Sequence, residues 1–334
     1  MNELIQLKSH GLVGPNDSFH IDAWSPADIN LVTHAHGDHS RRGSKEYWCT
    51  VDSAPIIKHR LGADTKIRTF AFGETVRLAD SWISFHPAGH ILGSAQIRIE
   101  DAKNSSNVWV VTGDYKRDED PTCAPFEIVH CQTLITEATF SLPIYHWQPA
   151  SKTAQEIYDW WQWNKSEGNT PVLFCYSLGK AQRVLAELTR YTNDEVLLHG
   201  SALVLTQIYR DAGVKMVPTS ALLDYTGDLS GRLVIAPPSA HRSPWMKRFK
   251  SVSTGFASGW MAVRGVRRGR SYEKGFVLSD HADWNSLLQT VDDSKAKRVL
   301  VTHGQSEILA RYLRESKGLQ AEPLVTQYGQ EDES

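Results

Sequence analysis

VTHAHGDHS, residues 32–40, places three histidines and an aspartate within six positions: His34, His36, Asp38 and His39. Neutral imidazole and carboxylate are the ligands that zinc and neighbouring divalent metals take in proteins. In an extended backbone the first two histidines, two residues apart, point to the same side. Gly37 then permits a turn that brings the other two ligands to a neighbouring position. The stretch predicts a segment that serves two adjacent metal ions, and the alternative is a polar loop that happens to be rich in histidine.

Length and composition restrict the class of protein. The chain has 334 residues, of which 41% are hydrophobic and 22% charged, and its formal net charge is −2. This length suffices for a sizeable core and for two domains. The opening MNELIQLKSHGL lacks the basic-then-apolar order of a secretory signal. No apolar stretch approaches the roughly twenty residues that span a bilayer. The four cysteines are scattered, so we predict a reducing, cytoplasmic environment and no membrane association.

Apolar, β-branched runs of this chain end repeatedly in a histidine or a carboxylate, where a predicted strand passes into a loop. If such strands lie in packed sheets with aligned edges, their ends converge on one place, and sheet-based folds build their sites there. Seven runs show this pattern, and they lead to Asp22, the cluster at 34–39, His90, Asp114, Glu137, Asp280–His281 and His303.

The available ligands match the requirement of a pair of metals. A catalytic zinc takes about three protein ligands plus a water, so two metals take about six, and a carboxylate can bridge them. The predicted ligands are His34, His36 and His90 for one ion, Asp38, His39 and His303 for the other, and Asp114 between them. We therefore predict two divalent metal ions as cofactors, zinc by its ligand preference, with manganese as the alternative.

The order of these segments resembles the metallo-β-lactamase superfamily. Its signature H-x-H-x-D-H stands at residues 34–39, and Asp22, His90 and Asp114 match its other motifs. The resemblance implies an α/β fold in which two sheets lie between helices, the αββα sandwich of that superfamily.

Three later motifs are similar to motifs A, B and C of the β-CASP nuclease branch of this superfamily. They are LITEAT with Glu137, LSDHAD with His281 and VTHG with His303. That branch includes RNase J, RNA 3′-end processing endonucleases and Artemis-type DNA nucleases. SGWMAVRGVRRGR followed by GFVLSDHADW looks like its bacterial DNA-ligase-associated exonucleases.

The resemblance also implies a domain division. A metallo-β-lactamase domain would comprise residues 1–142 and 272–334, and an inserted α/β β-CASP domain would comprise 143–271. The alternating apolar runs and amphipathic segments of this middle region independently indicate a parallel sheet covered by helices.

As implied by the resemblance, the chain is a DNA nuclease that acts on single strands as an exonuclease, leaves a 5′-phosphate and serves DNA repair. His281 would be the general acid that protonates the leaving oxygen, and Glu137 would orient it. Asp22 would steady the ligand loop, and Asp38 counts among the catalytic residues as well as the ligands. A functional association with a DNA ligase and a helicase follows from the same resemblance.

The main alternative is a ribonuclease of RNA processing or decay. The crosslink-repair type of DNA nuclease generally lacks the motif C histidine, whereas this chain has His303. A small-molecule hydrolase of the same fold would not need so large an insertion, and an inactive scaffold subunit would lack metal ligands that this chain retains.

Two segments of the predicted insertion suit a nucleic acid. SLGK places Ser177 and Lys180 at a strand-to-helix junction, where free amides and a lysine suit a phosphate, although a plain helix cap gives the same pattern. Residues 241–274 hold nine lysines and arginines against one acid, with five aromatic residues between them. Cations follow a phosphate backbone and aromatic faces stack on bases, although a solvated basic face is the alternative. The predicted contacts in this segment are Arg264, Arg267 and Arg268.

Overall fold

The structure is a computed structural model that describes residues 3–263 and 271–325. The three predicted contacts Arg264, Arg267 and Arg268 therefore lie outside the described residues.

The strands, in chain order, are β1 (Gln6–Lys8), β2 (Gly11–Val13), β3 (His20–Ile21), β4 (Ile29–Leu31), β5 (Glu46–Thr50), β6 (Ile67–Phe70), β7 (Thr75–Leu78), β8 (Ser81–Pro87), β9 (Ala95–Asp101), β10 (Asn104–Val111), β11 (Thr133–Glu137), β12 (Thr170–Phe174), β13 (Val196–Leu198), β14 (Thr219–Ala221), β15 (Val234–Ala236), β16 (Val252–Ala257), β17 (Lys274–Phe276), β18 (Arg298–Thr302) and β19 (Gln320–Pro323). The α-helices are α1 (Ser53–Leu61), α2 (Ala150–Ser166), α3 (Lys180–Leu188), α4 (Gly200–Asp211), α5 (Trp284–Ser294) and α6 (Ser306–Lys317). No helix within the described ranges combines the length and the apolar character that crossing a membrane requires.

The chain divides into two units. Unit 1 comprises Met1–Glu119, Cys123–His146 and His281–Ser334, and unit 2 comprises Asp120–Thr122 and Trp147–Asp280. The division therefore falls near, but not at, the predicted limits of 143 and 271. The assignment of the two units to particular families of domain stays a prediction.

Unit 1 contains two sheets that mix parallel and antiparallel pairs. The first sheet follows chain order from β1 to β6 and is parallel from β3 onward. The second sheet has the order β19-β18-β11-β10-β9-β8-β7, and its strands β10, β11, β18 and β19 are parallel neighbours. Strands β18 and β19 follow unit 2 in the chain, so the second sheet combines strands that precede unit 2 with strands that follow it.

Alternation of side chains explains how unit 1 is layered, since successive residues of a strand point to opposite faces. In β10, Trp109 and Val111 join an apolar cluster that also includes Leu31 of the first sheet. Val108 and Val110, which alternate with these two residues along the strand, join a different cluster. That cluster also includes the buried apolar residues of α5 and α6. The two sheets thus stack face to face, with two helices on the outer face of the second. This arrangement confirms the predicted α/β class.

Unit 2 is built on a single parallel sheet. Its strand order is β14-β13-β15-β12-β16-β17, and every pair is parallel. All residues of β12, β13 and β15 are buried, as expected for a parallel sheet covered on both faces. The alternation of strands and helices predicted for this part of the chain is therefore present.

One strand belongs to a different sheet than its sequence context suggested. The run that leads to Asp280–His281 was grouped with the six other runs that end in ligands. Its strand, β17, instead pairs with β16 in the sheet of unit 2, and unit 1 resumes only at His281. Only the other six runs come from the two sheets of unit 1.

Buried ion pairs stabilise unit 2 beside α3. Lys180 is 1% exposed, and its Nζ lies 3.3 Å from Asp280 Oδ2. Arg183 Nη1 lies 3.3 Å from Asp280 Oδ1, and its Nε lies 3.3 Å from Asp120 Oδ2. Buried charges persist in proteins when they are paired in this way. Lys180 therefore has a structural partner where the sequence predicted a phosphate contact, while the Ser177 hydroxyl is partly exposed at the same junction.

Candidate metal centre

The strands of unit 1 deliver the predicted ligands to one edge. His34 follows β4, His90 follows β8 and Asp114 follows β10, each by three residues. Glu137 is the last residue of β11, and His303 directly follows β18. Neighbouring parallel strands end at the same edge of a sheet, so β10, β11 and β18 bring their ligands together.

Three groups of side chains have potential ligand atoms within 4.8 Å of one another, and Asp114 belongs to two of them. The groups are His34, His36, His90 and Asp114; Asp38, His39 and His303; and Asp114, Glu137 and His281. All seven predicted metal ligands fall in the first two groups, and the predicted acid and its partner form the third with Asp114.

The first group has the dimensions of a metal cage. His36 Nδ1 lies 3.1 Å from His34 Nε2 and 3.1 Å from His90 Nε2. Asp114 Oδ2 lies 3.5 Å from His34 Nε2 and 3.9 Å from His90 Nε2. Nitrogen ligands at about 2.0–2.1 Å from a tetrahedral zinc lie about 3.3 Å from one another. Four ligand atoms at these separations therefore fit one divalent ion.

The second group adjoins the first through Asp114. His39 Nε2 lies 3.3 Å from Asp38 Oδ2 and 3.5 Å from Asp114 Oδ2. The rings of His39 and His303 stack with their centroids 5.5 Å apart. The same oxygen of Asp114 thus borders both groups, as a bridging carboxylate does.

Asp114 also supplies a direct test of whether a cation fits. The residue is 7% exposed, and its Oδ1 has no hydrogen-bond donor among the described residues. A buried carboxylate oxygen without a donor is costly unless a positive charge compensates it. Divalent ions held by the first two groups would supply that charge, so the residues present fit a pair of metals.

Two histidines of the groups are held in the neutral form that binds metals. Burial, helped by the neighbouring His39 and His90, lowers the pKa of His34 well below its usual range. Burial likewise lowers the pKa of His303 to about 4. Both imidazoles can therefore offer a lone pair at neutral pH.

The carboxylates produce the opposite effect and show an excess of negative charge. Burial raises the pKa of Asp114 to about 7. Burial alone would lower the pKa of His39, but Asp38, Asp114 and Asp22 outweigh it and hold that pKa well above its usual range. The three carboxylates around His39 therefore place negative charge where divalent cations would neutralise it.

Asp22 contacts the two ligand groups through hydrogen bonds on the side of the histidine Nδ1 atoms. Its Oδ2 accepts a 2.6 Å hydrogen bond from Thr33 Oγ1 and a 2.7 Å hydrogen bond from His39 Nδ1. Thr33 Oγ1 in turn lies 3.1 Å from His34 Nδ1. With Nδ1 engaged, each histidine directs Nε2 toward its metal group. The proposed steadying role of Asp22 thus has a defined geometry, with one branch to each group.

We predict that Asp22→Ala lowers metal affinity about 10- to 100-fold, the usual effect of removing a partner of a ligand. Thr33→Val removes the contact with His34 but leaves the 2.7 Å hydrogen bond between His39 and Asp22, so it should weaken metal binding less than Asp22→Ala does. Titration of metal-free protein against a chromophoric chelator measures both effects. The control is Asp28→Ala, because the Asp28 side chain is 78% exposed and pairs with Lys45 away from the site. Wild-type affinity in Asp22→Ala would contradict the prediction.

Sequence reasoning missed the threonines, although the sequence contains a signal for them. Val-Thr-His occurs at residues 32–34 and again at 301–303. In the second copy Thr302 Oγ1 lies 3.0 Å from His303 Nδ1, which repeats the contact of the first copy. His303 has φ 59°, and a Cβ on the following Gly304 would lie 2.2 Å from the Ala138 carbonyl. The tight backbone here explains why glycine follows the ligand.

His281 is fixed by Glu137. The two side chains meet through His281 Nδ1 and Glu137 Oε2, 2.9 Å apart. Glu137 also accepts hydrogen bonds from Thr139 Oγ1 at 2.6 Å and from the Tyr115 amide at 2.7 Å. Burial would raise the pKa of Glu137, but His281 and these hydrogen bonds outweigh it and lower that pKa. An ionised Glu137 keeps the proton on Nδ1, so proton exchange with a substrate would use Nε2.

The sequence is similar to known proteins whose names refer to DNA, RNA or transcription. A "Probable DNA ligase" from Opitutus terrae is 34% identical over 314 residues, which are 94% of this chain and 30% of that protein. "Transcription termination factor FttA" of Methanosarcina mazei is 33% identical over 141 residues, 40% of this chain and 20% of the factor. "Endoribonuclease ysh1" of Aspergillus fumigatus is 30% identical over 128 residues, 37% of this chain and 14% of the enzyme. No protein-family model matches the chain.

This chain matches only a part of each of these relatives, so their names do not establish its activity. This chain spans at most 30% of the length of each of the three. All three names concern DNA or RNA, which agrees with the predicted class of partner.

Proposed function

We propose that this chain is a two-metal nuclease of the metallo-β-lactamase fold with a β-CASP insertion in unit 2. The observation that carries this proposal is the position of Asp114. One of its oxygens borders two metal-sized groups of ligands, and the same residue belongs to a third group with Glu137 and His281. Ligands for two ions beside an oriented acid are what hydrolysis of a phosphodiester requires.

The residues divide the chemistry between them. When bound, a pair of divalent ions supplies Lewis acidity and an acidified water at neutral pH. The two ligand groups would hold the ions, with Asp114 at the border of both groups. His281 gives the proton on Nε2 to the departing 3′ oxygen, so that the product keeps a 5′-phosphate. Glu137 holds the ring of His281 and offsets its positive charge before the proton is given.

DNA is the proposed substrate. The relative named for a DNA ligase is similar over 94% of this chain, far more than the others. In that relative the matching part occupies 30% of a longer polypeptide, which supports the proposed association with a DNA ligase in repair. A helicase partner rests on the resemblance of the sequence motifs alone.

RNA is the second candidate, and a specific observation favours it. The relatives named endoribonuclease and transcription termination factor match 37% and 40% of this chain. His303, which resembles the motif C histidine of RNA-processing members, lies against His39 in the second ligand group.

Contacts with the strand are proposed for unit 2. The basic segment 241–274 supplies charge for phosphates, and Ser177 supplies a hydroxyl at a strand-to-helix junction. The five aromatic residues of this segment belong to or pack against the apolar cluster of unit 2, which favours a structural role for them, so the proposed contacts of the segment are its cations. The burial of Lys180 against Asp280 favours a structural role for that lysine.

Digestion of matched oligonucleotides tests the proposal. End-labelled single strands of DNA and RNA, each with and without a 5′-phosphate, are incubated with Zn²⁺ or Mn²⁺. We expect DNA to be shortened from one end to 5′-phosphorylated products at least about tenfold faster than RNA, a difference of about 1.4 kcal/mol in the barrier. Added chelator should abolish the reaction. Faster cleavage of RNA would favour the second candidate, and no cleavage by metal-loaded protein would overturn the nuclease proposal.

A further inference from the structure

Arg60 contacts the ligand segment from a neighbouring helix. It is the second-last residue of α1, and its side chain is half-buried. Its Nη1 donates a hydrogen bond to the carbonyl of Ala35, which lies between two metal ligands, and also lies 3.3 Å from Ser40 Oγ. The Arg60 carbonyl accepts a 2.8 Å hydrogen bond from Arg42 Nη2, which anchors the arginine from the other side.

Ser40 closes the segment on itself. Its amide and its hydroxyl both donate to the His36 carbonyl, at 2.9 Å and 2.8 Å. One guanidinium nitrogen thus reaches the carbonyl of Ala35 near the beginning of the segment and the hydroxyl of Ser40 at its end. Three of the four ligands in this segment lie between the two contacts, and His34 directly precedes the first.

Gly37 lies directly against the guanidinium. A Cβ at Gly37 would stand 2.6 Å from Arg60 Nη2, closer than real Cβ contacts. The predicted turn is present at residues 37–39, but Gly37 does not have positive φ, so the turn itself does not require glycine at this position. The structural reason is the close approach of Arg60.

We propose that Arg60 is a positioning residue that holds the ligand segment in its metal-binding shape. This inference rests on the proposed metal site, because the segment has a shape to keep only if it binds metals. The guanidinium places Nη1 on both acceptors and Nη2 beside Gly37, whereas the ammonium of lysine has a single nitrogen and cannot occupy both positions.

The charge of Arg60 acts in the opposite direction to its geometry. A fixed cation near two metal ions disfavours their binding, so loss of charge alone would tighten it. Loss of the hydrogen bonds would loosen the segment and weaken binding. Arg60→Met removes both charge and hydrogen bonds, whereas Arg60→Lys retains the charge and loses the fork. The two variants therefore separate the two effects.

Metal titration of the full chain tests the proposal. We expect Arg60→Met and Arg60→Lys both to weaken Zn²⁺ binding about 10- to 100-fold, as loss of a ligand's supporting contacts does. The visible spectrum of the Co²⁺-loaded variants should shift, because it reports the ligand geometry. Lys58→Ala is the matched control, since Lys58 is exposed on the same helix. Tighter binding in Arg60→Met with wild-type binding in Arg60→Lys would show that charge dominates and overturn the proposal.

A double-mutant cycle distinguishes positioning from a general structural role. Gly37→Ala in the wild type should displace the guanidinium and weaken Zn²⁺ binding nearly as much as Arg60→Met does. In the Arg60→Met background the same alanine contacts a flexible apolar side chain and breaks no hydrogen bond. It should therefore weaken Zn²⁺ binding little further. Such non-additivity is the signature of a direct contact. Additive effects would contradict the proposal.

The outcomes also separate this inference from the proposed function. If the wild type and Lys58→Ala take up no divalent ion in equilibrium dialysis, the metal site itself is wrong. If they bind two ions and the Arg60 variants bind them equally well, only the role of Arg60 is wrong. Far-ultraviolet circular dichroism of each metal-free variant confirms that the chain has folded.

Discussion

Asp114→Asn is expected to abolish hydrolysis, with a loss of at least about a thousandfold in kcat/KM. The amide keeps the size of the side chain but removes the negative charge that borders both ligand groups. Metal-ion stabilisation of transition-state charge is worth several kcal/mol, and each 1.36 kcal/mol corresponds to about tenfold in rate. Metal content should fall at the same time, because the residue between the groups no longer compensates two cations. Activity assays and elemental analysis of the same preparation measure both effects.

The control for this variant is Asp80→Asn. Asp80 Oδ2 pairs with Lys103 at 3.2 Å and is 47% exposed on another part of unit 1. It should leave activity and metal content unchanged. An Asp114→Asn protein that keeps both ions and full activity would remove the basis of the proposed mechanism.

His281→Ala is expected to slow turnover about 10²- to 10⁴-fold, the usual contribution of a general acid, while metal content stays near that of the wild type. His281 lies outside the first two ligand groups and its Nδ1 contacts Glu137, so its loss should remove the proposed acid and leave those two groups intact. A DNA strand whose scissile 3′ oxygen is replaced by sulfur tests this directly. A thiolate leaves without protonation, so the modified strand should restore most of the lost rate.

Glu137→Gln accompanies this test. The amide preserves the size of the side chain but removes the charge that favours protonated His281, so turnover should fall less than in His281→Ala. The sulfur-containing strand should rescue it as well. Rescue in neither variant, or a metal-free His281→Ala protein, would show that His281 does not act as the acid.

The convergence of the candidate ligand side chains could be predicted from the sequence because their pattern is local. A strand of alternating or continuous apolar residues that ends in histidine or aspartate indicates both the strand and the polar edge. His34, His90, Asp114 and His303 all lie within three residues of a strand end. Parallel neighbours then bring such ends together without further information.

The supporting contacts could not be predicted, because they join residues far apart in the chain. Arg60 reaches Ala35 across 25 positions, and no pattern in KHRL marks that arginine among its neighbours. Gly37 could be recognised as unusual, but a requirement for a turn and a requirement for close approach give the same residue. The partner of Lys180, Asp280, lies 100 positions away, so a buried ion pair and a phosphate-binding lysine look identical in SLGK.

The sheet assignment before His281 failed for a related reason. A short apolar run indicates a strand, but nothing in it identifies the sheet that the strand joins. KGF pairs in unit 2, and the chain enters unit 1 only at His281, five residues after the strand ends. The predicted limit at residue 271 was therefore placed before this strand.

The order of the second sheet determines when the ligand groups are completed during synthesis of the chain. Strand β18 pairs along the whole length of β11, yet the ribosome makes it only after the entire intervening unit. At about 5–20 residues per second, a nascent polypeptide carries the early histidines for on the order of ten seconds or more before His281 and His303 emerge. The second ligand group therefore lacks His303 until nearly the whole chain has been synthesised.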